Sequence, residues 1–173
     1  MFYSSKKQLS NEDKLYNKII NFSRNKFFYD TVHLQDNHNI RIYLIFFHIS
    51  FLMFRFKNFK KNHPIKTFLQ KLFNYAFNQI EVNMREFGYG DVMVNKNMKI
   101  LVKVFYKIIF DFESYSSYDD IKKSKLFNKY LPNLNTSKKA ELFELIKYFN
   151  KYQSFCLDLP ANSVIEGELN FKY

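Results

Sequence analysis

The chain carries three glycines, three prolines, one cysteine and no tryptophan in 173 residues. The lone Cys156 excludes an intramolecular disulfide and a CxxC metal site. It points to a reducing compartment and, at that position, to a small buried hydrophobe. Long hydrophobic runs are also missing. The most apolar stretch, IYLIFFHISFLMF (42–54), is 13 residues long, whereas crossing a bilayer takes about 20. Bracketed by Arg41 and Arg55 and interrupted by His48 and Ser50, it reads as a helix buried nearly all round, with a helix sunk into a membrane interface as the alternative. The first twenty residues lack an apolar core and contain Glu12 and Asp13, unlike a signal or transit peptide. No internal repeat, low-complexity linker or second-domain boundary is visible.

Catalytic signatures are absent too. GYGD (88–91) lacks the GxxxxGK[ST] frame and follows a helix instead of a strand, so it is no phosphate loop. There is no HExxH, no Ser–His–Asp order and no paired carboxylates. His33 and His38 stand five apart, poor spacing for ligands on one helix face, and the apolar surroundings of His48 favour a satisfied core histidine over a catalytic one. An enzyme would need scattered residues such as Tyr29, His48 and Asp91 to converge. The reading is therefore non-enzymatic, with no cofactor and no metal.

What is present is hydrophobic, aromatic and basic. Hydrophobic residues make up 47 % of the chain, with 22 Phe and 13 Tyr, and 27 Lys+Arg against 16 Asp+Glu give +11. Such a composition supports a folded core. The charge favours an anionic partner: nucleic acid, a ribosome or an acidic membrane surface. Part of that charge is what an AT-rich genome over-supplies. No helix-turn-helix, RNP or zinc-finger motif specifies a nucleic acid.

Three-and-four spacing recurs along the chain and predicts an all-α bundle of about six helices in one domain over 1–173. Ser10 and Asp13 form a capping-box pair ahead of Leu15, Ile19 and Phe22. Residues 29–39 read as a loop, and a second helix covers about 40–57. Pro64 opens a third helix over about 65–87, with Leu69, Leu72, Phe73, Ala76, Ile80, Met84 and Phe87 on its apolar stripe. A fourth has Val94, Met98, Leu101, Phe105, Ile108 and Phe112 on one side and Lys96, Lys99, Lys103 and Lys107 on the other. A shorter helix starts near Ser117 with Asp120 as box partner and ends before Pro132. Leu142, Leu145, Ile146 and Phe149 mark a last long helix, and 157–173 reads as an irregular tail.

Two of the three glycines fall within EVNMREFGYGD (81–91). Gly88 sits where a helix end needs a left-handed residue, which glycine adopts without a Cβ clash. Arg85 suits the negative end of the helix dipole and Glu86 opposes it. Asp91 follows Gly90 and is placed to cap the next helix. As neighbours in sequence, Arg85 and Glu86 cannot face each other and should pair elsewhere. The expectation is a polar knot of Arg85, Glu86 and Asp91, with Arg41 or Arg55 as the opposite charge.

MREFGYGDVMVNKNMKILVKVFY (84–106) resembles the signature of the ubiquinol–cytochrome c chaperone family, R-E-x-G-x-G-D followed by a lysine and a helix ending in an aromatic pair. Arg85, Glu86, Gly88, Gly90, Asp91, Lys96, Met98, Phe105 and Tyr106 take those places. SRNKFFYD (23–30), with Arg24, Phe28 and Tyr29, is similar to an upstream family segment. RIYLIFFHISFLMFRF, with Arg41, His48 and Arg55, is similar to the family's central helix, and VIEGELNF to its closing segment. The resemblance spans about 19–170. The chain departs from the pattern at Asn39–Ile40 and at Asn95, where the family has glycines.

The resemblance implies an all-helical assembly factor for the cytochrome bc1 complex that holds newly made cytochrome b. Its mitochondrial members work near the ribosomal exit with a small helper protein. Without a transit peptide, a bacterial member at the cytoplasmic face of the inner membrane is expected, or the matrix side in a eukaryote. Tyr29, Arg41, His48, Arg55, Arg85, Glu86, Gly88, Gly90, Asp91 and Lys96 are then the client- or partner-binding candidates. A basic RNA- or ribosome-binding helical domain is the competing reading.

Overall fold

The computed structural model describes residues 9–132, 134 and 139–173. The start of the N-terminal stretch read above as unlike a targeting segment, residues 1–8, lies outside the described residues. Seven α-helices form among them and no strand: α1 (Asn11–Ser23), α2 (His38–Arg55), α3 (Pro64–Glu86), α4 (Asp91–Phe112), α5 (Asp120–Tyr130), α6 (Lys139–Leu157) and α7 (Ala161–Ile165). The all-α expectation holds.

Local chemistry sets most helix starts. The Ser10 side chain accepts from Asp13 N at 3.2 Å while Ser10 N donates to the Asp13 carboxylate at 2.9 Å, a reciprocal capping box. Asn37 accepts from Ile40 N to open α2. His63 Nδ1 accepts from Ile65 N ahead of Pro64. Asp119 accepts from Lys122 N to open α5. The last of these corrects the reading of Ser117 as the cap: Ser117 lies in a 3₁₀ turn, Tyr115–Ser117, and its hydroxyl donates to Ser114 O. A π-helical turn, Phe27–Thr31, occupies part of the segment read as loop.

The axis of the fold is α2. Every residue from Leu44 to Leu52 is buried, and α2 packs against α1, α4 and α6. The interfacial-membrane alternative for this stretch therefore fails: its apolar surface is covered by the chain's own helices. None of the helices among the described residues is long and apolar enough to cross a membrane. The buried side chains form one continuous cluster, and rings from four helices meet in it. Phe47 of α2 stacks on Phe112 of α4 at 5.0 Å, and Phe127 of α5 on Phe149 of α6 at 5.2 Å. Large rings in offset and edge-on contact fill this space and add to the apolar burial.

The two fully buried polar residues at the centre of α2, His48 and Ser50, are satisfied internally. Ser50 Oγ donates to Phe47 O. His48 Nδ1 lies 2.6 Å from Leu44 O and Nε2 2.8 Å from the Tyr148 hydroxyl. A carbonyl can only accept, so the proton sits on Nδ1 and Nε2 accepts from Tyr148. His48 is a core histidine.

The C-terminal segment, expected as an irregular tail over 157–173, holds one short helix, α7, and otherwise runs without regular structure against the core. Helix α7 packs on α1 and α3, and Leu169 and Phe171 are buried. Gly167, at φ +79°, ends α7 in the left-handed region, with Glu168 N donating to Ser163 O and Gly167 N to Val164 O. That pair of bonds is a Schellman cap.

Candidate functional site

The α3–α4 corner is built as the sequence predicts at Gly88 and differently around it. Gly88 has φ +84°, Tyr89 N donates to Met84 O at 3.2 Å, and Gly88 N donates to Arg85 O at 2.9 Å. This second Schellman cap closes α3. Gly90 is the N-cap of α4 in extended backbone, φ −69° and ψ 157°, which any residue adopts. Asp91 is thus the first helical residue and not the cap. A Cβ at either glycine meets nothing within 4 Å, so only backbone conformation distinguishes them. Gly88→Val is expected to cost about 1–2 kcal/mol, the left-handed penalty for a branched residue, whereas Gly90→Ser leaves stability equal or slightly raised. Thermal melts of the two variants check the difference.

Arg85 ties the corner. It pairs with Asp91 across the bend and with Glu81 one turn back at 2.9 Å. Arg85 sits at the C-terminal end of α3 and Asp91 at the N-terminal end of α4, so each charge is favoured by its helix dipole. The hydrogen bonds that Arg85 donates to the Glu81 and Asp91 carboxylates hold its guanidinium above its ordinary pKa. The pair is exposed, so it sets the angle of the bend more than it adds stability.

The expected knot is corrected in its other members. Arg41 forms a fork to Asp36 at 2.6 and 2.7 Å, which keeps the Asp36 carboxyl below its ordinary range. Arg55 lies at the far end of α2, about 20 Å away by helix rise. Its guanidinium there rests over Phe56 and Phe59. Glu86 makes no ion pair among the described residues. It lines a cleft of about 210 Å³ together with Arg24, Arg41, His38, Asn83 and Phe87. Two arginines on the same cleft supply the positive potential that a carboxylate at a helix C-terminus lacks.

Tyr29 stands beside this group. Its hydroxyl donates to Ser23 O at 2.7 Å, and burial, then the Asp36 charge, raises its pKa. His38 borders both this cleft and a second of about 290 Å³ between α2 and α4. Its Nε2 is buried and unpartnered among the described residues. Burial and the Arg41 charge lower its pKa, so the ring is neutral near pH 7. Tyr29, His48 and Asp91 each bond to a different place, so the constellation that would mark an enzyme does not assemble.

Above the clefts the corner is apolar. Phe87, placed on the core stripe by its spacing, is instead 70 % exposed, because the cap turns the chain before it can pack; its ring edge contacts His38 at 5.5 Å. Tyr89 and Met93 are exposed beside it, and Val92 is 84 % exposed. Four such side chains within seven residues are more than isolated surface hydrophobes. The signal was in the sequence: GYGDVM leaves no polar residue but Asp91 to cover the bend. Lys96 stands on the outer side of α4, away from the clefts.

A family model described as Ubiquinol-cytochrome C chaperone matches residues 30–171. The fold is similar to the crystal structure of the Cbp3 homolog from Brucella abortus, with a TM-score of 0.79 at 19 % identity, covering 94 % of this chain and 89 % of that one. No curated protein matches the chain.

Proposed function

Because this chain belongs to the ubiquinol-cytochrome C chaperone family, we propose that it shelters newly made cytochrome b during assembly of the bc1 complex, on the membrane face where that subunit is inserted. The observation that carries this reading is the apolar corner of Phe87, Tyr89, Val92 and Met93, held by Gly88 and the Arg85–Asp91 pair over two clefts. An unassembled membrane subunit exposes apolar helices that aggregate in water. A rigidly held patch of aromatic, aliphatic and methionine side chains covers such helices without reacting with them. Arg24, Arg41 and Glu86 around the adjoining cleft would orient polar loop groups of the client, and the corner rather than the buried His48 makes the contact.

Deletion of the chain, followed by spectroscopy of b- and c-type haems in the membrane, tests the assembly role. The expected result is loss of bc1 with other cytochromes intact. The corner is tested by Phe87→Ser combined with Val92→Ser. Both side chains are largely solvent-exposed, so the melting temperature should hold while capture of cytochrome b and bc1 content fall several-fold. Unchanged bc1 content in that variant removes the corner from the role. Capture that vanishes on nuclease treatment would favour the RNA-binding reading.

A further inference from the structure

The outer face of α4 is dominated by lysine and apolar residues, with Asn95 the one uncharged polar side chain exposed among them. Lys96, Lys99, Lys103 and Lys107 are exposed along it, and Val92 and Phe110, 84 % and 75 % exposed, mark its two ends on the same stripe. Ile100 and Tyr106 flank the lysines and are exposed as well. The opposite side of the helix, Val94, Leu101, Phe105, Ile108 and Phe112, is buried against the core. No acidic residue occurs on α4 between Asp91 and Asp111. No ion pair among the described residues engages Lys96, Lys99 or Lys103. Three unpaired lysines interleaved with exposed aromatic and aliphatic side chains match a partner that is both anionic and apolar.

We propose that this face docks on the anionic headgroup surface of a lipid bilayer, with α4 lying in the plane of the interface and Phe110 and Val92 entering the acyl boundary. The inference rests on the membrane-side reading above and names the element that does it. Two observations favour lipid over RNA. Val92 and Ile100 are aliphatic and cannot stack on bases, whereas both gain from burial among acyl chains. The cations on α4 are all lysine, point charges suited to a diffuse anionic surface and not to bidentate recognition. The apolar corner at the start of α4 is then held close to the bilayer surface, where a membrane client emerges.

The test is flotation of the full chain with phosphatidylcholine vesicles, with and without phosphatidylglycerol, across a salt series. Binding only to the anionic vesicles, weakening with salt, is expected. Each lysine near an anionic surface is worth about a fivefold change in partitioning, so Lys99→Glu with Lys103→Glu should lower binding at least about 25-fold. Phe110→Ser should weaken binding while keeping the salt dependence. All three side chains are exposed, and matched circular dichroism melts verify folding. Binding unaffected by either variant overturns the proposal. So does a lysine variant that loses only RNA binding while wild type ignores vesicles, which would make α4 an RNA face. No client is present in the assay. Vesicle binding without cytochrome b capture would therefore sink only the client reading, and capture without vesicle binding only the inference.

Discussion

Gly167→Ala is expected to destabilise the protein by about 2–5 kcal/mol. Two costs combine. The residue sits at φ +79°, where an L side chain loses about 1–2 kcal/mol. A Cβ there would also lie 2.9 Å from Asn11 O and 3.0 Å from Lys14 Cβ. The first is backbone at the start of α1 and cannot rotate away, so α7 must back off α1, an overpacking cost of about 1–3 kcal/mol. Gly88→Ala supplies the control: the conformation is equally left-handed, but nothing lies within 4 Å. The melting temperature should drop markedly more for Gly167→Ala, and the gap between the two variants measures the crowding alone. Equal drops would mean that the α1–α7 contact is looser than described.

The second large effect is acid sensitivity centred on His48. Burial pushes its pKa down from 6.5 to about 4, outweighing the opposing hydrogen bond to Leu44 O. Unfolded chain takes up a proton as pH falls through 6.5, while the folded ring stays neutral until about 4. The unfolded state therefore binds more protons throughout that window. Stability is complete above the unfolded value and lost on acidification, by about 2 kcal/mol at about pH 5 and about 3 kcal/mol once pH nears 4. The folded ring cannot accept the second proton cheaply, since Nε2 already faces the Tyr148 hydroxyl inside a cage that includes Phe28, Phe149 and Tyr152. Denaturant midpoints followed from about pH 7.5 to about pH 5 should fall more steeply for wild type than for His48→Gln, by about 2 kcal/mol. Parallel curves would place the acid response on other groups.

The parts of this fold that were readable from sequence are those governed by near neighbours along the chain. Ser10–Asp13, Pro64, the stripe from Leu69 to Met84 and the lysine strip of α4 all express spacing within a few residues. Gly88 was readable for the same reason, since its role follows from the helix it ends. Errors collect where distant chain decides. Ser117 and Asp119 are equally good caps in isolation, and the 3₁₀ turn seated by buried Tyr115 chooses between them. Phe87 fits the helical period, but the bend removes it from the core. Helix α7 is five residues long, too short to show a period, and exists because α1 and α3 receive it. Around the candidate site, the grouping of Arg85 with Asp91 was legible in the motif, but the place of Glu86 and the counter-charge from Arg41 or Arg55 were not. Arg85 and Asp91 are six apart across one turn, whereas the partners of Arg41 and Arg55 are set by α2 and the segments flanking it.

The position of α2 has a consequence for synthesis. Its nine-residue buried core from Leu44 to Leu52 is translated early, while α6, which covers one side of it, follows only after α3, α4 and α5. At ~5–20 residues per second that interval lasts several seconds. Throughout it the nascent chain carries its greasiest helix without the α6 side of its cover, so a member of a chaperone family passes through a stage in which its own core helix is open to aggregation.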